Sequence, residues 1–268
     1  MTGTGSVLLD DARSDGSPVL FLSAHLDDAV LSCGALIEAL RPTCPVTVAT
    51  LFTAATCPPH TLAARSFLRQ CSSADAAVLF AARQAEDEDV LREMEAEHVH
   101  FGETDALFRR RSGSRLGSRV GRLLPELAHR YPTYRYDIAK GRVARGDRAM
   151  IDALVARVSG LIERTAARVV FAPVGVGRHV DHLITRSVAV RQPIGAVYYS
   201  DFPYNLALGP DQAFLDRHDL RPWTWQRGIA AKQGLIRRYR TQVDALFPSG
   251  EIAEVPELYY EPAAMRAA

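Results

Sequence analysis

The sequence lacks several features that mark membrane, secreted or nucleic-acid-binding proteins. No apolar run among the 268 residues approaches the ~20 residues that a membrane-spanning helix needs. Residues 1–17 are polar and acidic, without the apolar centre of a signal peptide. The net charge is only +1, so no overall field favours nucleic acid or a membrane surface. We therefore expect a cytoplasmic protein with no membrane span and no nucleic-acid partner.

Lysine and cysteine are also scarce. Only Lys140 and Lys232 are lysines, so arginine carries nearly all of the positive charge. No two cysteines have C-x-x-C spacing, which favours reduced, mostly buried thiols over a metal or redox site. The cysteines are Cys33, Cys44, Cys57 and Cys71.

Strand and helix patterns alternate along the chain. Strands are predicted at Val19–Leu22, Pro45–Phe52, His98–Phe101, Arg168–Val174 and Gly195–Ser200. Helices are predicted at Ala29–Leu40, Thr61–Leu68, Ser73–Ala96, Asp147–Ala167 (with Asp147 as N-cap), Val180–Val190 and Trp225–Leu246, with a short helical piece near Val120–His129. This alternation predicts an α/β fold with a mostly parallel, doubly wound sheet. We expect one domain over residues 18–268, preceded by the polar segment 1–17.

The first chemical motif follows the first predicted strand and opens a helix. It contains His25, Asp27 and Asp28. One interpretation is structural: an aspartate caps the helix and His25 is an ordinary turn residue. The alternative is a metal site, because open α/β sheets place their chemistry at such junctions.

The second motif favours the metal site. His179, Asp181 and His182 also follow a predicted strand. His25, Asp28 and His182 can each supply one nitrogen or oxygen ligand. Three such ligands leave a fourth position open, as in catalytic zinc sites. Asp27 and His179 would then form an acid–base pair beside the metal. Asp181 would accept a hydrogen bond from a histidine and fix its orientation.

The motifs resemble those of a known family. The segments A-H-L-D-D at 24–28 and H-V-D-H at 179–182 resemble the A-H-P-D-D and H-P-D-H signatures of PIG-L/LmbE-like deacetylases. Weaker resemblances are R-Q-A-E-D at 83–87, D-A-L-F-R at 105–109 and the late helix at 232–242, so the likeness runs from about Val19 to Phe247. Leu26 and Val180 replace the two prolines, and Ala29 replaces an acidic residue.

The resemblance implies a Rossmann-like fold and a role for each matching residue. His25, Asp28 and His182 would bind Zn²⁺ or another divalent metal, and Asp27 would be the general base. His179 would stabilise the oxyanion or protonate the amine. The expected substrate contacts are Arg83, Asp105 and Arg109.

Two further segments have ambiguous patterns. Six arginines crowd one irregular stretch, either as a solvated surface loop or as a flap that contacts an acidic group of the substrate. An aromatic segment, Tyr198–Tyr204, either lines the substrate crevice or belongs to the core, and Trp223 and Trp225 are equally ambiguous. The arginines are Arg109, Arg110, Arg111, Arg115, Arg119 and Arg122.

The expected function is zinc-dependent removal of an N-acetyl or N-acyl group from an N-acylglucosaminyl conjugate, with a role in antibiotic or other natural-product biosynthesis. The partner would be a small glycoconjugate; the sequence does not predict an oligomeric state. The alternatives are a metal hydrolase acting on another amide or ester, and a catalytically inactive sugar-binding protein.

Overall fold

A seven-stranded, mostly parallel sheet forms the centre of the protein. The computed structural model describes residues 6–111 and 123–263. The strand order is β3-β2-β1-β4-β5-β7-β6, in which β1 to β5 are parallel and β7 is antiparallel to both of its neighbours. The strands are β1 (Val19–Ser23), β2 (Val46–Ala54), β3 (Glu97–Thr104), β4 (Val169–Pro173), β5 (Ala196–Tyr199), β6 (Leu220–Trp225) and β7 (Glu257–Pro262).

Helices cover both faces of this sheet. They are α1 (Val7–Asp15), α2 (Asp28–Leu40), α3 (Leu62–Gln70), α4 (Ala76–Glu93), α5 (Pro125–Ala128), α6 (Arg148–Thr165), α7 (Val180–Val190), α8 (Gln212–Arg217), α9 (Ile229–Ile236) and α10 (Arg240–Leu246). A short π-helical turn, Tyr134–Ile138, lies between α5 and α6. Among the described residues, no helix is both long and apolar enough to cross a bilayer.

The central strands are apolar on both sides because each side faces a separate core. In β1, Leu20 and Leu22 belong to one buried cluster, whereas Val19 and Phe21 belong to the other. Continuous apolar strands of this kind are typical of parallel sheets covered by helices on both faces. The predicted mostly parallel, doubly wound α/β fold is therefore confirmed.

The C-terminal part differs from the prediction. Instead of one helix over Trp225–Leu246, Trp225 ends strand β6, and two separate helices follow it. Trp223 stacks on Tyr259 of the neighbouring strand, with 4.3 Å between ring centroids. Both tryptophans are buried in the core, so they do not line the cleft.

Smaller differences concern helix ends. Helix α1 lies inside the segment predicted to be polar, and its Leu9 and Ala12 pack into the core. Asp147 occupies the N-cap position of α6, but its side chain makes no capping hydrogen bond.

The four cysteines are unpaired, with Cys33 and Cys44 buried and Cys57 exposed.

Strand order determines the position of the site. The chain continues from β1 to β2 on one side and later reaches β4 on the other, so β1 and β4 are neighbours at the switch point. Parallel sheets open a crevice at the carboxyl ends of such strands. His25 follows β1 and His179 follows β4, which brings the two sequence motifs to the same edge.

Candidate metal and active site

A cleft of about 740 Å³ opens at the carboxyl end of the sheet. His25, Asp27 and Asp28 line it from the β1 side, and His179 lines it from the β4 side. His182 lies behind these residues and is only 2% exposed. The two sequence motifs therefore meet at one end of one cavity.

Two of the predicted metal ligands, His25 and His182, converge on a carboxylate oxygen of the third, Asp28. Nδ1 of His25 lies 3.2 Å from Oδ2 of Asp28, and Nε2 of His182 lies 3.3 Å from the same atom. Two imidazole nitrogens and a carboxylate oxygen are a donor set that suits zinc and other divalent transition metals. The residues present thus fit a divalent metal ion.

Asp27 and Asp28 do not cap helix α2. Asp27 stands at the N-cap position without a side-chain capping bond, and Asp28 accepts from the backbone N–H of His25 at 2.8 Å. Ser23 performs the capping instead, because its Oγ accepts from the N–H of Ala29 at 3.1 Å. Both aspartate carboxylates therefore line the cleft.

Each candidate histidine ligand has a carboxylate at its other ring nitrogen. Nε2 of His25 lies 3.4 Å from Oδ2 of Asp181, and Nδ1 of His182 lies 2.5 Å from Oδ1 of Asp201. Carboxylates in this position fix the tautomer and orientation of metal-binding histidines. The sequence interpretation missed the role of Asp201, although its place two residues after the end of β5 is a signal.

Burial and neighbouring charges separate the two adjacent aspartates. Burial opposes ionisation of Asp28, but His182 and His25 lower its pKa below the usual range. Burial and the charge of Asp28 raise the pKa of Asp27 to about 7, against the opposing charge of Arg83. One carboxylate is thus suited to remain charged and the other to exchange a proton.

His179 caps helix α7. Its Nδ1 accepts from the N–H of Asp181 at 3.2 Å, which leaves Nε2 to carry the proton of the neutral ring. Burial and the charge of His25 lower the pKa of His179, which favours this neutral form.

In the described part of the chain, two groups of three residues could hold a metal ion, and within each group the ligand atoms lie within 4.8 Å of one another. One combines His25, His179 and His182, and the other combines His25, Asp105 and Asp181. The first offers His179 in place of Asp28 as a metal ligand. Geometry alone therefore allows either Asp28 or His179 to be the third ligand beside His25 and His182.

Arg83 and Asp105, two of the predicted substrate contacts, line the cleft. The guanidinium of Arg83 lies over the ring of Phe67 at 5.0 Å, and its buried Nε has no hydrogen-bond partner. Oδ2 of Asp105 lies 3.5 Å from Nε2 of His25. Asp105 therefore faces the candidate metal ligand as well as the cleft.

The third predicted contact, Arg109, does not line the cleft. Its guanidinium is buried and donates to Asp181 at 2.5 Å and to Asp147 at 2.9 Å. It also donates to the carbonyl of Thr104, so its donors are used inside the protein. The prediction that Arg109 contacts the substrate is therefore wrong, because two buried carboxylates hold its side chain away from the cleft.

The neighbouring arginines also contact the protein itself. Arg110 donates to the carbonyls of Cys57 and Pro59, and Arg111 donates to the carbonyl of His129. These contacts do not support the predicted flap over an acidic substrate group for the described arginines. The other members, Arg115, Arg119 and Arg122, lie outside the described residues.

The aromatic segment after β5 divides between core and cleft. Tyr199 is buried and donates to the carbonyl of Leu22 at 2.9 Å. Phe202, Pro203 and Tyr204 line the cleft. Tyr134, which no sequence motif singles out, lines it from the π-helical turn.

Sequence comparison identifies one family. The sequence model of PIG-L, described as GlcNAc-PI de-N-acetylase, matches residues 20–192, which is more than half of the chain. The match includes both candidate metal motifs. No protein of curated function matches the sequence.

Solved deacetylase structures share the fold. A40926 pseudoaglycone deacetylase Dbv21 has 20% sequence identity and a TM-score of 0.65, covering 92% of this chain and 97% of that one. The zinc-inhibited form of teicoplanin deacetylase Orf2 has 20% identity and a TM-score of 0.68, covering 91% and 97%. N,N'-diacetylchitobiose deacetylase from Pyrococcus horikoshii has 15% identity and a TM-score of 0.54, covering 91% and 79%.

Proposed function

Because this chain belongs to the PIG-L family, whose model is described as GlcNAc-PI de-N-acetylase, we propose that it removes an N-acetyl or longer N-acyl group from an amino-sugar conjugate. The products are a free amine and a carboxylic acid. One observation carries the proposal. His25 and His182 converge on Asp28 at one end of a cleft that Asp27 and His179 also line.

We propose zinc as the metal, held by His25, Asp28 and His182. When bound, the ion supplies Lewis acidity, which polarises the amide carbonyl and makes the attacking water more acidic. Asp181 and Asp201 support the assignment, because they hold the histidines with the ligating nitrogens toward Asp28.

Asp27 is the proposed general base. It lines the cleft beside Asp28, where its carboxylate can accept a proton from the attacking water. Arg83 lines the cleft too, and its positive charge opposes the rise in the pKa of Asp27. Arg83 is therefore a proposed substrate contact whose charge also favours the ionised form of Asp27.

His179 is proposed to stabilise the negative charge that develops on the amide oxygen. Its Nδ1 is engaged by the N–H of Asp181, so Nε2–H is the available donor. A preorganised donor at a developing oxyanion is among the largest contributions to hydrolysis of an acyl group. Because His179 is held neutral, the proton for the departing amine is the one that Asp27 has accepted from the attacking water.

A glycosylated natural product is the proposed substrate class. Two of the structural relatives are described as deacetylases of A40926 pseudoaglycone and of teicoplanin. The cleft has a volume of about 740 Å³, enough for a sugar together with part of a bulky aglycone. Asp105, which lines the cleft, is a second proposed substrate contact.

A mass-spectrometric screen of N-acylglucosaminyl conjugates tests this function. The panel varies acyl length and aglycone, and each reaction is analysed for the free amine and the released acid. We expect release by the metal-loaded protein and far slower release by its Asp27→Asn variant. Hydrolysis confined to simple esters or other amides would favour a different hydrolase, and sugar binding without turnover would favour an inactive binding protein.

A further inference from the structure

Exposed apolar side chains concentrate around the mouth of the cleft. Among the described residues, eleven large apolar or tyrosine side chains are exposed. Two of them, Val78 and Val190, lie on the outer helices α4 and α7. Apart from Val143, the others belong to segments that line or adjoin the cleft: Leu62, Leu123, Leu124, Leu127, Tyr134, Tyr136, Leu206 and Leu208.

Specific contacts connect these segments to the cleft. Tyr134 and Leu208 line it directly. Leu62 opens helix α3 beside Ala63, which also lines it. The N–H of Leu62 donates to Oε1 of Glu126 at 3.0 Å, which joins the start of α3 to helix α5. The exposed leucines of α5 therefore continue the apolar rim away from the cleft.

Positive charge is interleaved with this apolar rim. Leu62, Arg65 and Arg69 are all exposed and have the i, i+3, i+7 spacing of one helix face. Arg135 stands between two exposed tyrosines of the π-helical turn. Nζ of Lys140 lies 5.0 Å from the ring centroid of Tyr136. The rim thus presents cations and apolar groups side by side.

Acidic groups in the part of the rim between residues 123 and 145 are few and engaged. Glu126 and Asp137 are the only acidic residues between 123 and 145. Glu126 accepts from Leu62, and Asp137 accepts from the N–H and the hydroxyl of Thr133 at 2.8 and 2.6 Å. Although the net charge of the chain is only +1, this region is therefore locally cationic.

We propose that the rim docks onto an anionic lipid surface, with the cleft facing the membrane. Exposed leucine and tyrosine side chains enter the boundary between headgroups and acyl chains, while arginine and lysine side chains pair with anionic headgroups. Such docking presents the cleft to substrates that have a lipid-anchored or amphiphilic part. The proposal concerns a binding surface, so it stands or falls independently of the reaction in the cleft.

Sedimentation with vesicles tests the docking. The full chain is mixed with vesicles of phosphatidylcholine alone, or of phosphatidylcholine with phosphatidylglycerol. We expect binding only to the anionic vesicles, weakening as salt rises. Arg65→Gln with Arg69→Gln should weaken binding by about 5- to 30-fold, because each basic residue near an anionic surface strengthens binding by about fivefold.

The apolar contribution has its own matched variants. Leu124→Ser with Leu127→Ser should weaken binding at least about tenfold, because two exposed leucines lose their insertion into the interface. Val78→Ser with Val190→Ser is the control, since it removes exposed apolar groups away from the rim. Turnover of a short, freely dissolved N-acyl substrate should remain unchanged in all three variants.

Three results would overturn the proposal. One is no sedimentation with anionic vesicles, and another is equal binding by the rim variants and the control variant. The third is a concentration-dependent dimer, seen by analytical ultracentrifugation, that the Leu124→Ser/Leu127→Ser variant abolishes, since a second copy would then cover the rim.

Discussion

Arg109 and Asp181 form a buried ion pair in which the guanidinium donates to Oδ1 at 2.5 Å. The other oxygen of Asp181 accepts from the N–H of Ala106 and faces Nε2 of His25. The arginine thus contacts a candidate metal ligand through one intervening carboxylate. This makes Arg109 a positioning residue, although it does not line the cleft.

Replacing Arg109 is expected to weaken both metal binding and stability. Arg109→Gln leaves Asp181 and Asp147 without a shared cation, so we expect metal affinity to fall by about 10- to 100-fold. The free energy of unfolding should fall by about 3–5 kcal/mol, because buried carboxylates lose their partner. Arg109→Lys should recover part of both. Chelator competition and denaturant unfolding measure the two effects.

A surface arginine provides the control. Arg157 pairs with Glu103 at 2.9 Å, but its side chain is 45% exposed. Arg157→Gln should therefore change stability by about 0–1 kcal/mol and leave metal affinity unaltered. Unchanged metal affinity in the Arg109→Gln protein would reduce Arg109 to a role in folding alone.

The metal content of two variants distinguishes the role of Asp27 from that of Asp28. Asp27→Asn should keep the metal and lower kcat by about 10²–10⁴-fold, the range for loss of a positioned general base. Asp28→Asn, in contrast, should lose metal. Asp89→Asn on the exposed side of α4 is the matched control. Near-normal turnover by Asp27→Asn would rule out the general base proposed here.

His179 and His182 distinguish the two ligand sets that the geometry allows. If Asp28 completes the set, His182→Ala and His25→Ala should lose most of the metal, whereas His179→Ala retains it with a lower kcat. Elemental analysis of the purified proteins gives the answer directly. Loss of metal from His179→Ala and its retention in Asp28→Ala would instead assign His179 as the ligand.

The buried pair of Lys232 and Glu257 predicts a pH-dependent loss of stability. Nζ and Oε1 lie 3.2 Å apart, and both residues are buried. Burial raises the pKa of Glu257, while Lys232 opposes that shift. An acid with a raised pKa in the folded state binds protons more tightly there, so its contribution to stability falls as pH rises above its unfolded pKa.

Lys232→Met should therefore destabilise by about 3–5 kcal/mol at neutral pH, where Glu257 would be charged and unpaired. The loss should shrink as pH falls toward the ordinary pKa of glutamate, because protonation neutralises the side chain. Unfolding curves across this range measure the effect. The double variant with Glu257→Gln should restore most of the stability; a pH-independent loss would argue against the unpaired charge.

The metal motifs could be predicted because their information is local. His25 and His182 each sit in a short motif behind an apolar strand, and parallel strands bring such ends to one edge. Arg109 could not be predicted in the same way. A run of arginines resembles a solvated surface, and only the tertiary approach of Asp147 and Asp181 explains its burial.

The C-terminal strands show a similar limit. β6 contains Pro222, which disfavours a strand assignment from sequence, yet an edge strand tolerates proline. β7 pairs with β5 and β6 in an antiparallel direction, so its contacts depend on residues distant in sequence. The helix predicted from Trp225 is wrong at its start, because Trp225 pairs with Glu257 in the sheet and the helix begins only after Gly228, whose φ is 73°.

Metal titration of the stripped protein tests the central claim most directly. The apo protein receives zinc in steps, and acetate release from an N-acetylglucosaminyl conjugate is measured at each step. The account predicts no release without metal, a rise to a maximum near one equivalent per chain, and no such rise for His182→Ala. Full activity in the chelated protein, or an identical rise in the His182→Ala variant, would contradict it.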